Sequence, residues 1–243
     1  MIIRIEQSGF ATGPVNMDTD RRMMELVRRR EVAVAVRTYS WAPWCVSLGR
    51  NQEDSAISSA ACLERGFDVV RRPTGGRAVL HANELTYCIV TRTKALLTPR
   101  KIYTATHELI FEALSALVGG LSFSGVPTDL RNHYASSGPL GQSCFSSHAR
   151  SEIMYGNRKV VGSAQRVVND IVLQHGSILC GPGHEGLADV IVANQEQRLQ
   201  LRTDIEASSA TLSSIAGRVL PIHEVENVIH ASFSNGIEAK FAH

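Results

Sequence analysis

A chain of 243 residues with 44% hydrophobic residues is long enough to bury a substantial core, and neither figure points to disorder. The formal charge of +2 is spread without a long basic run or aromatic-plus-basic interleaving, which argues against a nucleic-acid partner. Met1-Ile2-Ile3-Arg4 lacks the basic start and apolar stretch of a signal peptide. No segment approaches the roughly 20 apolar residues that cross a bilayer. The cytoplasm is therefore the expected location, with no membrane partner.

In chain order, residues 1–12 alternate like an edge strand that Gly13-Pro14 breaks. A helix follows, with Asp18 or Asp20 read as its cap. Met23, Met24, Leu26 and Val27 form its apolar face, and Arg28-Arg29-Arg30 suits its C-terminus. Residues 32–39 read as a strand, and 41–48 as a bend feeding a short strand. Gly49-Arg50-Asn51-Gln52 is a turn before a small helix over 58–65, and Val69-Val70 begins an extended piece. The breaker-rich loop Arg71-Arg72-Pro73-Thr74-Gly75-Gly76-Arg77 then separates this piece from apolar residues at 78–80 and 85–90, a strand-loop-strand unit.

Residues 101–118 carry a helical pattern on Ile102, Leu109, Ile110, Leu114 and Leu117, stopped by Gly119-Gly120. Residues 125–141 read as a surface loop. Strands are expected over 152–155, 159–168 and 171–179, the last two joined by a tight Asn169-Asp170 turn. Helical pieces follow near 187–192, 207–219 and 223–233, with Pro221 as punctuation. Without repeats or long linkers, residues 1–243 read as one α+β domain with a mixed, mainly antiparallel sheet covered by helices. A small helical C-terminal part over 185–243 is the alternative.

Cysteines stand at 45, 62, 88, 144 and 180, an odd number without a C-x-x-C pair or histidines at zinc-ligand spacing, so free thiols are expected, with no metal and no disulfide. Cys45, Cys62, Cys88 and Cys180 have apolar neighbours and read as buried small hydrophobes. Cys144 lies instead in the polar run Pro139-Leu140-Gly141-Gln142-Ser143-Cys144-Phe145-Ser146-Ser147-His148. A nucleophilic cysteine, with an unperturbed pKa near ~8.5, needs a nearby cation to ionise, and Lys159 and His148 are candidates. A serine-rich loop holding an inert thiol is the other reading.

Three further segments have two readings each. The Arg71–Arg77 loop is either a strand-connecting turn or a place where a ligand approaches backbone amides between arginines. It is neither G-x-x-x-x-G-K-[ST] nor G-x-G-x-x-G, so nucleotide binding does not follow. In Lys159-Val160-Val161-Gly162-Ser163-Ala164-Gln165 an ammonium precedes a surface of small side chains on which an extended ligand could lie; alternatively the lysine guards an edge strand. His175, in Gln174-His175-Gly176-Ser177, could face the same region, or serve as a structural hydrogen-bonder.

Taken together and in order, these segments resemble the biotin/lipoate protein ligase superfamily, and within it the cysteine-dependent octanoyltransferases. The resemblance rests on Asn16-Met17 with Asp20, the Ser47–Gln52 run, the Arg71–His81 run, Glu84-Leu85-Thr86-Tyr87, Cys144-Phe145, the Lys159–Gln165 run and Gln174–Ser177. It departs from many relatives in having Ala82 after the loop histidine, where they have Asp, and Cys88 where they have Ser.

The resemblance implies a lipoyl/biotin-protein-ligase-like fold. It also implies an acyl tunnel lined by Arg72, Thr74, Gly75, Gly76, His81, Gly162, Ser163, Ala164 and His175, with Lys159 at its mouth. Cys144 would take octanoyl from octanoyl-acyl carrier protein and pass it to the lysine of a lipoyl domain, such as that of the glycine-cleavage H protein. Lys159 would lower the Cys144 pKa and polarise the acyl carbonyl. No cofactor is implied, because thioester exchange and amide formation need no ATP. The competing readings are an ATP-dependent lipoate ligase, an amidotransferase between lipoyl domains, and a silent binding protein. The chain's end soon after its last expected helix and its loop Pro73-Thr74-Gly75-Gly76-Arg77-Ala78, where such ligases tend toward a third glycine, weigh against the first, and Cys144 with Lys159 weighs against the last.

Overall fold

A computed structural model describes residues 1–124 and 152–242. The loop read over 125–141, Cys144 and His148 therefore lie outside the described residues. Among those described, ten strands form two sheets. In the larger sheet, β1 (Ile3–Ala11), β2 (Val34–Trp41), β6 (Glu84–Arg92), β10 (Ile171–Leu179), β9 (Arg158–Val168), β8 (Ile153–Tyr155) and β7 (Leu121–Phe123) follow one another in space. Only the β1–β2 pair is parallel, so the sheet is mixed and mainly antiparallel as expected. A smaller sheet has β3 (Cys45–Leu48) between β4 (Asp68–Arg71) and β5 (Val79–His81).

Helices cover both faces of the larger sheet, which is why β2 and β10 are buried along their whole length. Successive residues of a strand point to opposite faces. Val34 and Val36 thus join Tyr87 and Ile89 in a core with Ile102, Leu109 and Ile110 of α3 (Pro99–Ser115) and Val225, Ile229 and Phe233 of the C-terminal helix Ile222–Phe241. Ala35, Tyr39, Cys88 and Leu173 face the other way, onto Met17, Met23 and Val27 of α1 (Gly13–Arg28). The small sheet closes a third cluster through Val46, Leu48 and Leu80, with Cys62 of α2 (Ser59–Glu64) beneath it.

The chain departs from the sequence expectations at four places. Helix α1 begins at Gly13, with Pro14 in its first turn, so the proline starts the helix it was expected to precede. Asp18 and Asp20 lie in its interior: Asp18 pairs with Arg22 on the surface, and Asp20 is fully buried. Strand β7 has no counterpart in the sequence reading. The C-terminal pieces are a 3-10 turn over His184–Asp189, then α4 (Gln195–Ser208), α5 (Leu212–Ala216) and α6 (Ile222–Phe241). The helix expected over 207–219 is interrupted because the backbone there serves the sheet: Ala210 N–H donates to the Lys159 carbonyl at 2.9 Å, and Thr211 then caps α5. The Asn169-Asp170 hairpin forms as read, Asn169 taking φ 56. Cys45, Cys62, Cys88 and Cys180 are free and buried. Among the described residues, no helix is long and apolar enough to cross a membrane.

Candidate functional site

The two sheets leave between them a cavity of about 360 Å³, a size at the lower end of small-molecule sites, which run from roughly 300 to 1,000 Å³. Its long wall is the β9–β10 pair. There the register sets Gly176 opposite Ser163 and Ser177 opposite Gly162. These small residues bring backbone to the surface of the cavity: a Cβ on Gly176 would stand 2.3 Å from Ser163 Oγ and 2.7 Å from a ring carbon of Tyr87. Behind the wall, Gln174 donates to Tyr87 Oη at 2.9 Å, and Ser163 Oγ is held at 2.7 Å by Tyr87 and at 2.8 Å by His107 of α3.

The opposite wall is the Arg71–Arg77 loop, locked against Gly49–Gln52. Arg50 N–H donates to Thr74 O at 2.8 Å, and Arg71 donates to the carbonyls of Gly49 and Gln52 at 2.7 and 2.6 Å. Arg72 turns inward and donates to the carbonyls of Ser47, Gly75 and Arg77 at 2.8, 2.9 and 2.6 Å. The loop's arginines thus shape its own backbone. Gly49 permits the clasp, since a Cβ there would lie 1.9 Å from Gly76 O. Gly49→Ala is expected to push the loop off this seat and cost about 1–3 kcal/mol as an overpacked contact, seen as a lower denaturation midpoint with unchanged slope.

Two buried histidines hang on chains of hydrogen bonds. His175 Nε2 lies 2.7 Å from Thr74 Oγ1 and its Nδ1 lies 3.2 Å from Asp20. Tyr39 Oη donates to the same Asp20 oxygen at 3.1 Å, and Arg37 faces the carboxylate at 3.4 Å. Burial pushes the His175 pKa below its ordinary 6.5 despite Asp20, which keeps the ring neutral and ties the loop to α1. The second chain runs from Ser47 through His81 to Glu84. Ser47 Oγ is 2.7 Å from His81 Nε2, and His81 Nδ1 is 2.7 Å from Glu84 Oε1. Glu84 thereby supplies the ring's partner in a chain that carries Ala82 beside the histidine.

Lys159 begins the long wall and is 2% exposed, with Nζ 3.1 Å from the carboxylate of Glu152, itself 3% exposed. Its strand β9 lies between β10 and β8, so the reading of Lys159 as a guard on an open edge is overturned. Strands β8 and β9 form a hairpin through Gly156-Asn157, which folds the glutamate back beside the lysine.

The structure therefore brings together around one cavity Arg72, Gly75, Gly76, His81, Lys159, Gly162, Ser163, Ala164 and His175. Thr74 is buried behind the loop on His175. Cys144 lies outside the described residues. Sequence reasoning did not assign Glu152, Asp20, Ser47 or Glu84 to the site. The signal available for Glu152 was its place seven residues before Lys159, with a short strand and Gly156-Asn157 between them, a spacing that the β8–β9 hairpin closes. Among the described residues, no group of three or more His, Cys, Asp or Glu is arranged to hold a metal ion.

Comparisons with known proteins agree with this architecture. Residues 12–234 match the lipoyl protein ligase A/B catalytic domain. The octanoyltransferase LipM of Kyrpidia tusciae is 31% identical over 241 residues, covering 98% of this chain and 88% of that protein. LipM of Clostridioides difficile is 32% identical over 233 residues, covering 94% and 83%. Among solved structures, the bipartite lipoate protein ligase of Thermoplasma acidophilum, from a study of an archaeal lipoylation system with its E2 lipoyl domain, gives a TM-score of 0.72 at 18% identity. It covers 98% of this chain and 84% of that one, and bears out the fold implied by the resemblance. The family match extends from the N-cap of α1 into α6 and so takes in every strand and loop that lines the cavity; the chain belongs to the lipoyl protein ligase A/B catalytic domain family.

Proposed function

We propose that this chain is an octanoyltransferase of lipoate biosynthesis. It takes octanoyl from octanoyl-acyl carrier protein as a thioester on Cys144 and delivers it, in the cytoplasm, to the lysine amine of a lipoyl domain such as that of the H protein. The observation that carries the reading is the buried Lys159 on a wall of small residues, in a chain whose relatives include octanoyltransferases. The apolar chain lies along Gly162, Ser163 and Ala164, where backbone and small side chains leave room for it. Its carbonyl sits toward Lys159, whose ammonium stabilises negative charge as a nucleophile adds. The same cation favours a thiolate over a thiol when Cys144 comes near it. Residues 1–243 act as one catalytic domain in this reading. An ATP-driven ligase would have no use for an acyl-cysteine, and donor choice separates the transferase from an amidotransferase working between lipoyl domains.

The test is intact-mass spectrometry after incubation with octanoyl-acyl carrier protein and no ATP, comparing wild type with Cys144→Ala. A hydroxylamine-labile octanoyl adduct is expected on wild type alone. Activity that appears only with ATP and free lipoate would sink the thioester route.

A further inference from the structure

We propose that Ser47, His81 and Glu84 form a proton relay that takes the proton from the acceptor amine as the amide forms. The inference rests on octanoyl transfer to an amine as the reaction. Its observation is independent of that reading: a hydroxyl, an imidazole and a carboxylate stand in line at 2.7 Å each, and Ser47 and His81 both line the cavity.

The direction of the chain follows from its donors. Glu84 is fully buried, and its Oε1 accepts from Thr86 and Ser177 hydroxyls at 2.7 Å each besides facing His81 Nδ1. These donors and the imidazole hold the carboxyl below its ordinary pKa against the opposing effect of burial. An ionised Glu84 only accepts, so Nδ1 carries the proton, and in the neutral ring Nε2 then presents a lone pair to Ser47. Arg72 Nη1 donates to Ser47 Oγ at 3.2 Å, which turns the hydroxyl hydrogen toward His81. Trp41 stacks on the imidazole with centroids 4.1 Å apart, and its indole donates to Thr86 at 2.7 Å. The indole face steadies the positive charge that the ring carries during the step. Hydroxyl, imidazole and carboxylate in this order form the arrangement that nucleophile-and-base sites use to draw a proton off an oxygen.

In the step, the amine nitrogen bonds to the thioester carbonyl carbon and the C–S bond breaks. The nitrogen's proton passes to Ser47 Oγ as the serine's own proton passes to His81 Nε2. The imidazolium, paired with Glu84, then returns a proton to the departing thiolate, so each atom and charge is restored. His81 feels Glu84 from β6, Arg72 through Ser47, and His175 from β10; Lys159 and Glu152 line the same cavity. The thiols of Cys45 and Cys180 near Glu84 are kept protonated by burial, and His184 also feels that carboxylate. The His175 chain has the same form, but Arg37 already balances its Asp20, and burial keeps that ring neutral.

The experiment separates loading from transfer. Octanoyl-enzyme is first formed from octanoyl-acyl carrier protein, and single-turnover transfer to an apo lipoyl domain is then followed for wild type, Glu84→Gln and Ser47→Ala, with circular dichroism confirming folding. Glu84→Gln removes the anion that pairs with the imidazolium formed in the step, so the transfer rate should drop by roughly a hundredfold while loading is unchanged. Ser47→Ala should lower the ratio of transfer rate to loading rate by roughly a hundredfold, the scale of general acid–base catalysis. Equal losses in both steps would assign the three residues to scaffolding and overturn the relay alone. A wild type that never loads would overturn octanoyl transfer and the relay with it.

Discussion

Lys159→Met is expected to slow octanoyl transfer by roughly 10²–10³-fold, the cost of removing one charge-stabilising donor from an acyl-transfer site. The same change takes an ammonium from a carboxylate 3.1 Å away that is 97% buried, and breaking one side of a buried pair costs about 3–5 kcal/mol. Stability and catalysis would fall together in that variant. Lys159→Met with Glu152→Gln separates them: replacing the carboxylate with a neutral amide should recover most of the denaturation midpoint and none of the transfer. Recovery of both would mean that Lys159 matters only as the partner of Glu152, and the role given to its ammonium would have to be abandoned. Pre-steady-state measurement of octanoyl transfer is the appropriate readout, because it reports the acyl-transfer chemistry before product release.

Asp20→Ala should cost about 3–5 kcal/mol, a drop of roughly 6–20 °C in Tm for a chain of this size. Asp20 has no exposed surface and faces Arg37 at 3.4 Å, while Tyr39 and His175 point at its other oxygen. Arg37 is 1% exposed and lies 3.8 Å over the Tyr39 ring, with Asn16 accepting from its guanidinium at 2.6 Å. Removing Asp20 leaves that cation buried with neutral acceptors only. It also releases His175, and through it Thr74, so the loss should extend to the Gly75-Gly76 wall and weaken acyl occupancy. Thermal unfolding with and without octanoate distinguishes the two: a loss confined to α1 would leave the ligand-induced increment in Tm unchanged.

Asp20 also illustrates what a one-dimensional reading cannot see. An aspartate near a helix start ordinarily serves the helix dipole, and that local logic placed it as a cap. Its partners lie 17, 19 and 155 residues further along the chain, and nothing in the local pattern marks a charge as buried. Lys159 was placed correctly at the start of a strand beside small residues. Its burial depends on Glu152 across a hairpin, which alternation does not encode. Helix α3 was legible because its apolar residues recur at helical spacing, and the β9–β10 hairpin because a tight turn needs a residue that tolerates positive φ.

Helix α4 escaped because only Leu201 and Ile205 of its residues are buried, too few to show a period. Strand β7, with three residues, is too short to alternate. The loop glycines and the ordered motifs identified the family and the cavity walls. The two histidine chains, whose members come from different strands, became visible only in three dimensions.

The Asp20–His175 contact spans nearly two thirds of the chain, and the cavity needs both ends of that span. Helix α1, the arginine loop and the small sheet emerge early from the ribosome, yet the wall they face is completed only by Ser177. During synthesis these elements can pack on one another and on β2 and β6, but the early-made half of the site lacks its facing wall until β10 pairs between β6 and β9. Acyl transfer is thus a property acquired late. Its appearance in a series of stalled, ribosome-tethered chains of increasing length would date the closure of the sheet more sharply than any measure of secondary structure.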